Sequence, residues 1–290
     1  MRGENLCVVQ QAESGKLMNS PTIRLALGGS ASARIVSSFI KEGWSVCGTT
    51  VLPSLLLSYA YEKVWMAFMK PPMKVIIRKF VLDSGAFTAH AAGKTIAVEA
   101  YRDAVYRYRD MGVVPAELFS LDVIGDWRGS VKNTEYLWAN GLAAIPAYHY
   151  GEPEDLLLAY ARDYPKIALG GAVGIPRKEK ERWARQCFAR VWPKPIHGFG
   201  FGMWAVDVLP FHSIDCSDWE CRAARFGCWH AFNGAKLGLG GGTLLDNLGC
   251  EAQVWLEAEH RARKKWASTF SKLNWPEDIG YPFLTQGEQS

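Results

Sequence analysis

The sequence predicts a (β/α)8 barrel, and three observations predict it. Short apolar runs alternate with helical stretches about eight times along the chain, the pattern of parallel strands joined by crossover helices. Carboxylates, a histidine or glycines follow most of those runs, as they do where barrel strands deliver side chains to one working face. The chain has 290 residues, 49% of them hydrophobic and 12% aromatic, enough for one large α/β domain with a substantial core.

The elements follow in order. Residues 1–20 are polar, without an apolar signal-peptide core, and read as a flexible N-terminal arm. The first strand, 23–27, runs into GGSAS. No lysine stands where a phosphate loop needs one and there is no GxGxxG, so this is read as a tight βα turn. The second strand is 54–58 and the third 80–82. A helix is expected over 95–112, with Thr95 as its cap, Gly112 as its end, and Tyr101, Val105, Tyr108 and Met111 on one face. The fourth, fifth and sixth strands are 118–121, 144–148 and 167–169. A basic helix over 175–192 turns Trp183, Cys187, Phe188 and Val191 inward. The seventh and eighth strands are 196–199 and 211–214. Beyond them, 216–242 holds no strand–helix unit and ends in a glycine-rich run; 251–266 then reads as a helix carrying His260, Arg261, Arg263, Lys264 and Lys265. One barrel domain over 21–290, with a C-terminal helical extension from about 216, accounts for the length. His90, His212 and His230 have no partner at an informative spacing.

Bulk properties narrow the setting. Seven scattered cysteines, an odd number, argue against a disulfide framework and for a reducing cytoplasm. The most apolar window, 51–68, is interrupted by Pro53, Ser54, Ser58, Glu62 and Lys63, so no membrane span is expected. A net charge of +4 is too mild to identify a nucleic-acid partner.

The chemistry lies at the strand ends. The third strand ends in Asp83 (DSGAF), the fourth in Asp122 (LDVIGD) and the fifth in His149 (HYGE). The sixth ends in Gly170 and Gly171 (ALGGAVG), the seventh runs through HGFGFG, and the eighth ends in Asp215 (SIDCSDW). Any one aspartate could be a helix cap, but a barrel gathers them all in one bowl. Two carboxylates there suit glycosidic chemistry, one attacking the anomeric carbon and one moving protons. The glycines would let a flat ligand lie against backbone, and Phe87 and Phe199 could sandwich a planar base or simply pack in the core. Residues 177–194 hold seven Lys/Arg against two Glu. Arg177, Lys178 and Arg182 from that run, with Arg261, Lys264 and Lys265, are the candidate phosphate contacts.

Taken together, DSGAF, LDVIGD, ALGGAVG and SIDC, in this order over roughly residues 22–230, resemble the guanine transglycosylase superfamily. The tRNA-guanine transglycosylases carry DSGGF where this chain has DSGAF. The form of LDVIGD, HYGE, HGFGFG and SIDCSDW is closer to the phage and bacterial DpdA-like DNA 7-deazaguanine transglycosylases. The resemblance implies that Asp215 is the nucleophile, that Asp83 is the general acid/base and that Asp122 reads the guanine edge. It puts Gly170 and Gly171 on the base through their backbone and Phe87 and Phe199 in the stacking positions. His149 stands where the tRNA enzymes carry glutamine. It further implies DNA as partner, with tRNA as the alternative, a free 7-deazaguanine of the preQ0 kind as incoming base, and no required cofactor. The CxCxxC zinc motif of the tRNA enzymes is missing; Cys216, Cys221, Cys228 and His230 are an irregularly spaced alternative for a structural zinc. A non-catalytic nucleic-acid-binding subunit and a sugar hydrolase on the same fold are the other readings, and the Asp83/Asp215 pair and the Gly170–Gly171 pair, respectively, argue against them.

Overall fold

The computed structural model describes residues 21–26, 44–46, 49–51, 54–66, 79–220, 244–273, 275 and 283. The N-terminal arm, the GGSAS turn and the stretch holding Cys221, Cys228 and His230 lie outside them.

The barrel strands are β1 (Thr22–Ala26), β2 (Ser54–Ser58), β3 (Lys79–Asp83), β4 (Glu117–Phe119), β5 (Ala144–Ile145 and Ala147–His149), β6 (Ile167–Gly170), β7 (Ile196–Gly198) and β8 (Ser213–Cys216). All are parallel, each pairs with its neighbours in sequence, and β8 returns to β1. The break in β5 falls at Pro146, which has no N–H for the ladder. Its first half pairs with β4 and its second with β6, and the Pro146 carbonyl still accepts from Ala168 N at 2.8 Å. All eight predicted strands are present, each within about two residues of its predicted bounds. A short antiparallel hairpin, Trp44–Val46 with Thr49–Val51, stands apart from the barrel sheet.

The described helices are α1 (Glu62–Trp65), α2 (Ala86–Ala91), α3 (Val98–Asp110), α4 (Trp127–Ala139), α5 (Glu154–Asp163), α6 (Arg177–Val191), α7 (Trp204–Val208) and α8 (Leu244–Phe270). Helix α3 buries Tyr101, Ala104, Val105 and Tyr108, and Gly112 stops it at φ 70°. Two details of its reading fail. The helix starts at Val98, so Thr95 is no cap, and Met111 sits past the last turn, 55% exposed. Helix α6 buries Trp183, Ala184, Cys187, Phe188 and Val191 as its spacing predicts. The C-terminal helix is part of the wall. Glu259 accepts the Ile23 N–H at 2.7 Å, and Arg263 donates to the Pro21 carbonyl at 3.0 Å, at the entry to β1.

Most of the core lies between the strands and the surrounding helices. A second, smaller apolar cluster fills the middle of the barrel itself: Leu56, Val81, Phe119, Ile145, Ala147 and Ala168. Above it the inward positions are Asp83 and Asp215. Below it, at the amino ends of the strands, they are polar again: Ser54, Glu117 and Ser213 open β2, β4 and β8, and Lys166 directly precedes β6. None of the described helices is long and apolar enough to cross a membrane.

Candidate active site

Asp83 closes β3, and the next two residues explain the local turn. Gly85 adopts φ 76° and its N–H donates to Asp83 Oδ2 at 3.0 Å. A side chain at 85 would meet the Ala60 backbone N at 2.6 Å. The glycine of DSGAF is therefore what lets the chain fold back over its own carboxylate.

Asp215 stands on β8 with 7% exposure. Its Oδ1 accepts from His197 Nε2 at 3.2 Å and more weakly from Gly200 N at 3.4 Å. Lys180 of α6 fixes that second donor, because its ammonium donates to the Gly200 carbonyl at 3.2 Å. Lys180 belongs to the same basic run as Arg177, Lys178 and Arg182, and nothing in the sequence singled it out.

Burial pushes the Asp83 carboxyl up to about 6, and the nearby Asp122 adds to this against the Gly85 hydrogen bond. Burial likewise lifts Asp215 to about 7, helped by repulsion from Asp83 and opposed by Gly200 and Arg24. Phe87, on the first turn of α2, is 63% exposed.

These shifts carry a stability prediction. A carboxyl whose folded pKa lies above its ordinary value stabilises the fold at low pH, and that contribution is lost as pH rises through the folded value. Ionising this pair near pH 6–7 therefore destabilises the protein. Asp83→Asn, which cannot ionise and can still accept from Gly85, should be more stable than wild type at pH 8 by about 3 kcal/mol. The gap should shrink below about pH 6 and vanish near pH 4. Chemical denaturation across that range checks it; a less stable variant at pH 8 would mean the carboxylate is there for the fold.

On the strands next to Asp83, His149 Nε2 lies 3.3 Å from Asp122 Oδ2 and its Nδ1 3.2 Å from Glu152 Oε1. Burial favours the neutral ring, but the hydrogen bonds to the two carboxylates outweigh it and lift the imidazole to about 10. The ring is an imidazolium at neutral pH, with both N–H groups committed. Glu152 also accepts the His149 backbone N–H at 2.7 Å. It belongs to HYGE, and its spacing of three from His149 was the available signal for a role that sequence reading missed. Asp122 Oδ1 has no hydrogen bond among the described residues, so Asp122 is held through one oxygen and can accept through the other.

The two glycines have a nearer reason than a ligand. A Cβ at Gly170 would meet His149 Cδ2 at 2.9 Å, and one at Gly171 (φ 67°) would meet His149 Cβ at 2.8 Å. They make room for the imidazole. Phe199 packs edge-on to Phe119 and His197, with centroids 4.5 and 4.7 Å apart, over the barrel's inner cluster.

The basic residues divide. Arg177 and Lys178 open α6 directly after the β6 loop, Arg182 follows in the next turn, and all three are exposed. The other group is corrected: Arg261, Lys264 and Lys265 are not at the mouth. They lie on the stretch of α8 that Arg263 ties to the amino-terminal end of β1, Arg261 pairs with Asp207, and Lys265 donates to the Asp207 carbonyl. Charge density marked them, and their place on the barrel wall was not legible.

Of the zinc alternative only Cys216 is described, and it is buried. Among the described residues no group of three or more His, Cys, Asp or Glu is placed to hold a metal ion.

No protein-family model and no curated protein matches this chain. Fold and geometry define its class: a nearly closed parallel (β/α)8 barrel with two carboxylates, the half-buried Asp83 and the buried Asp215, at the carboxyl ends of its strands.

Proposed function

We propose that the chain is a guanine transglycosylase that exchanges guanine in DNA for a 7-deazaguanine base. The observation that carries the reading is the Asp83/Asp215 pair, two carboxyls at the ends of barrel strands, both lifted toward neutrality by desolvation, with Asp83 opposing the ionisation of Asp215. Between about pH 6 and 7 such a pair holds one proton, which rests mainly on Asp215 in the free protein; the reaction draws on the other tautomer, with the proton on Asp83 and Asp215 ionised.

Asp215 Oδ2 attacks C1′ of the target nucleoside. The C1′–N9 bond breaks, its electron pair leaves with guanine, and guanine takes the Asp83 proton. The glycosyl ester persists until the incoming base loses its N9 proton to Asp83 and attacks C1′, which releases the Asp215 carboxylate. Asp122, steadied by the His149 imidazolium, accepts from the donors on the guanine edge. Exchange, unlike hydrolysis, needs such an intermediate to survive, and an apolar, crowded site helps to exclude water. The choice of DNA over tRNA rests on the form of the motifs.

The target base must leave its stack to reach a buried carboxylate. Phe87, exposed on the helix that directly follows Asp83, supports the reading as a stacking platform. Phe87→Ala should raise KM for a nucleic-acid substrate about ten-fold at unchanged Tm; an unchanged KM removes Phe87 from the site. The reading itself is tested by incubating the protein with DNA or tRNA plus 7-deazaguanine bases, then digesting to nucleosides for mass spectrometry. A modified deoxynucleoside from the DNA arm is expected. Modification of tRNA alone would transfer the activity to the other polymer, and no modification of either would overturn the proposal.

A further inference from the structure

Under the apolar middle of the barrel lies a chain of polar side chains that ends on Asp215. Arg24 on β1 donates to Glu117 Oε2 at 2.9 Å. Lys166 has three N–H groups: one is shared between the two Glu117 oxygens, each 2.8 Å away, and the others go to His212 Nδ1 at 3.0 Å and to Ser213 Oγ at 3.3 Å. Ser213 Oγ lies 2.8 Å from His197 Nδ1, and His197 Nε2 reaches Asp215 Oδ1. Lys166 and His197 are fully buried, Arg24 and Glu117 nearly so. His212, unremarkable in the sequence, is part of this chain.

We propose that this chain fixes His197 as the Nε2–H tautomer, and that His197 in turn is a positioning residue that binds Oδ1 of Asp215 and leaves Oδ2 as the attacking oxygen. This deepens the transglycosylase reading and rests on it for the chemistry, though not for the tautomer.

The direction of the chain follows from what each group can do. An ammonium only donates. Ser213 Oγ accepts from Lys166, so its own hydrogen is left for His197 Nδ1. With Nδ1 accepting, the one ring hydrogen sits on Nε2 and points at Asp215; the bond at one imidazole nitrogen sets the state of the other. A second ring proton is opposed first by burial and then by the Lys166 and Arg24 cations, which hold His197 well below the ordinary histidine range. Burial also pushes Glu117 up, but Lys166 and Arg24 overcome this and keep it well below the usual carboxylate range. The groups facing His197 are thus Lys166, Arg24, Glu117, His212 and Asp215, and together they favour a neutral ring beside an ionisable carboxyl.

The cost argues for a role beyond folding. Barrel interiors are ordinarily filled by branched apolar side chains. Three ionised groups here each carry a desolvation penalty of several kcal/mol, and apolar replacements of such clusters are often neutral or stabilising. Helix and strand packing does not call for a lysine under the site. Orienting a carboxylate that must attack with a chosen oxygen does.

The test uses the full chain in two measurements. Nitrogen-15 NMR of the imidazoles in the resting protein should show His197 with hydrogen on Nε2 only and no titration between pH 5 and 8; hydrogen on Nδ1, or a titrating ring, overturns the proposal. Ser213→Ala should then mix the tautomers and lower kcat for base exchange about 10- to 100-fold, the range for removing an outer partner that orients a reacting group, with KM little changed. His197→Gln supplies an amide donor that needs no serine to set it, so Ser213→Ala should cost almost nothing further in that background. Equal losses in both backgrounds, or unchanged kcat in Ser213→Ala, overturn it. If wild type shows no exchange while the NMR result stands, the transglycosylase reading fails and the tautomer assignment survives.

Discussion

Asp215→Asn should abolish base exchange, with turnover lower by about 10^4-fold or more, the scale on which loss of a nucleophile is felt. The amide keeps the shape of the carboxylate and can still accept from His197 Nε2 and Gly200 N. The fold should survive, and Tm at pH 8 should rise, because a buried group that resists ionisation is replaced by one that cannot ionise. Nucleic-acid affinity should be kept, since no phosphate contact is removed. Steady-state exchange together with a binding isotherm separates the outcomes. Turnover within about ten-fold of wild type would move the attack to another group, of which Asp83 is the nearest.

The second large effect concerns the proton on the pair. Below about pH 6 both carboxyls are protonated and Asp215 cannot attack; above about pH 7 both are ionised and the leaving base finds no acid. The rate should trace a narrow bell with its maximum between these values, as a macroscopic property of the pair. Asp83→Asn should lower turnover by about 10^2- to 10^4-fold and erase the alkaline limb. Its remaining limb should shift to lower pH, because Asp83 no longer opposes ionisation of Asp215. A bell unchanged by Asp83→Asn would place the acid elsewhere.

The barrel was legible because each strand is a short apolar run bounded by turn residues, and a parallel, buried strand needs no more. The position of Asp83, Asp122, His149 and Asp215 followed at once, since barrel strands end at a common face. Their partners did not follow. Lys166 opens KIAL and reads as a charged strand entrance facing water; only closure of the barrel turns it inward to Glu117, which is distant in sequence. Arg24 and Glu117 sit in short runs where alternation is too brief to declare which face is inside. His197 was visible in HGFGFG, yet its bond to Asp215 depends on the register of β7 with β8. Gly170 and Gly171 were read as ligand contacts because the imidazole that fills their space comes from a neighbouring strand. Arg261–Lys265 failed for a similar reason: charge density is written in the sequence, and the face of the barrel on which a helix lies is not.

The most direct measurement is of the bond the account requires. Wild-type protein is incubated at pH 6.5 with an oligodeoxynucleotide containing guanine, without incoming base, and quenched in denaturant. Intact mass and peptide mapping follow. The account predicts an adduct carrying the abasic oligonucleotide, mapped to Asp215, absent in Asp215→Asn and discharged when a 7-deazaguanine is added before the quench. An adduct on any other residue, or exchange that proceeds with no adduct at all, would contradict it.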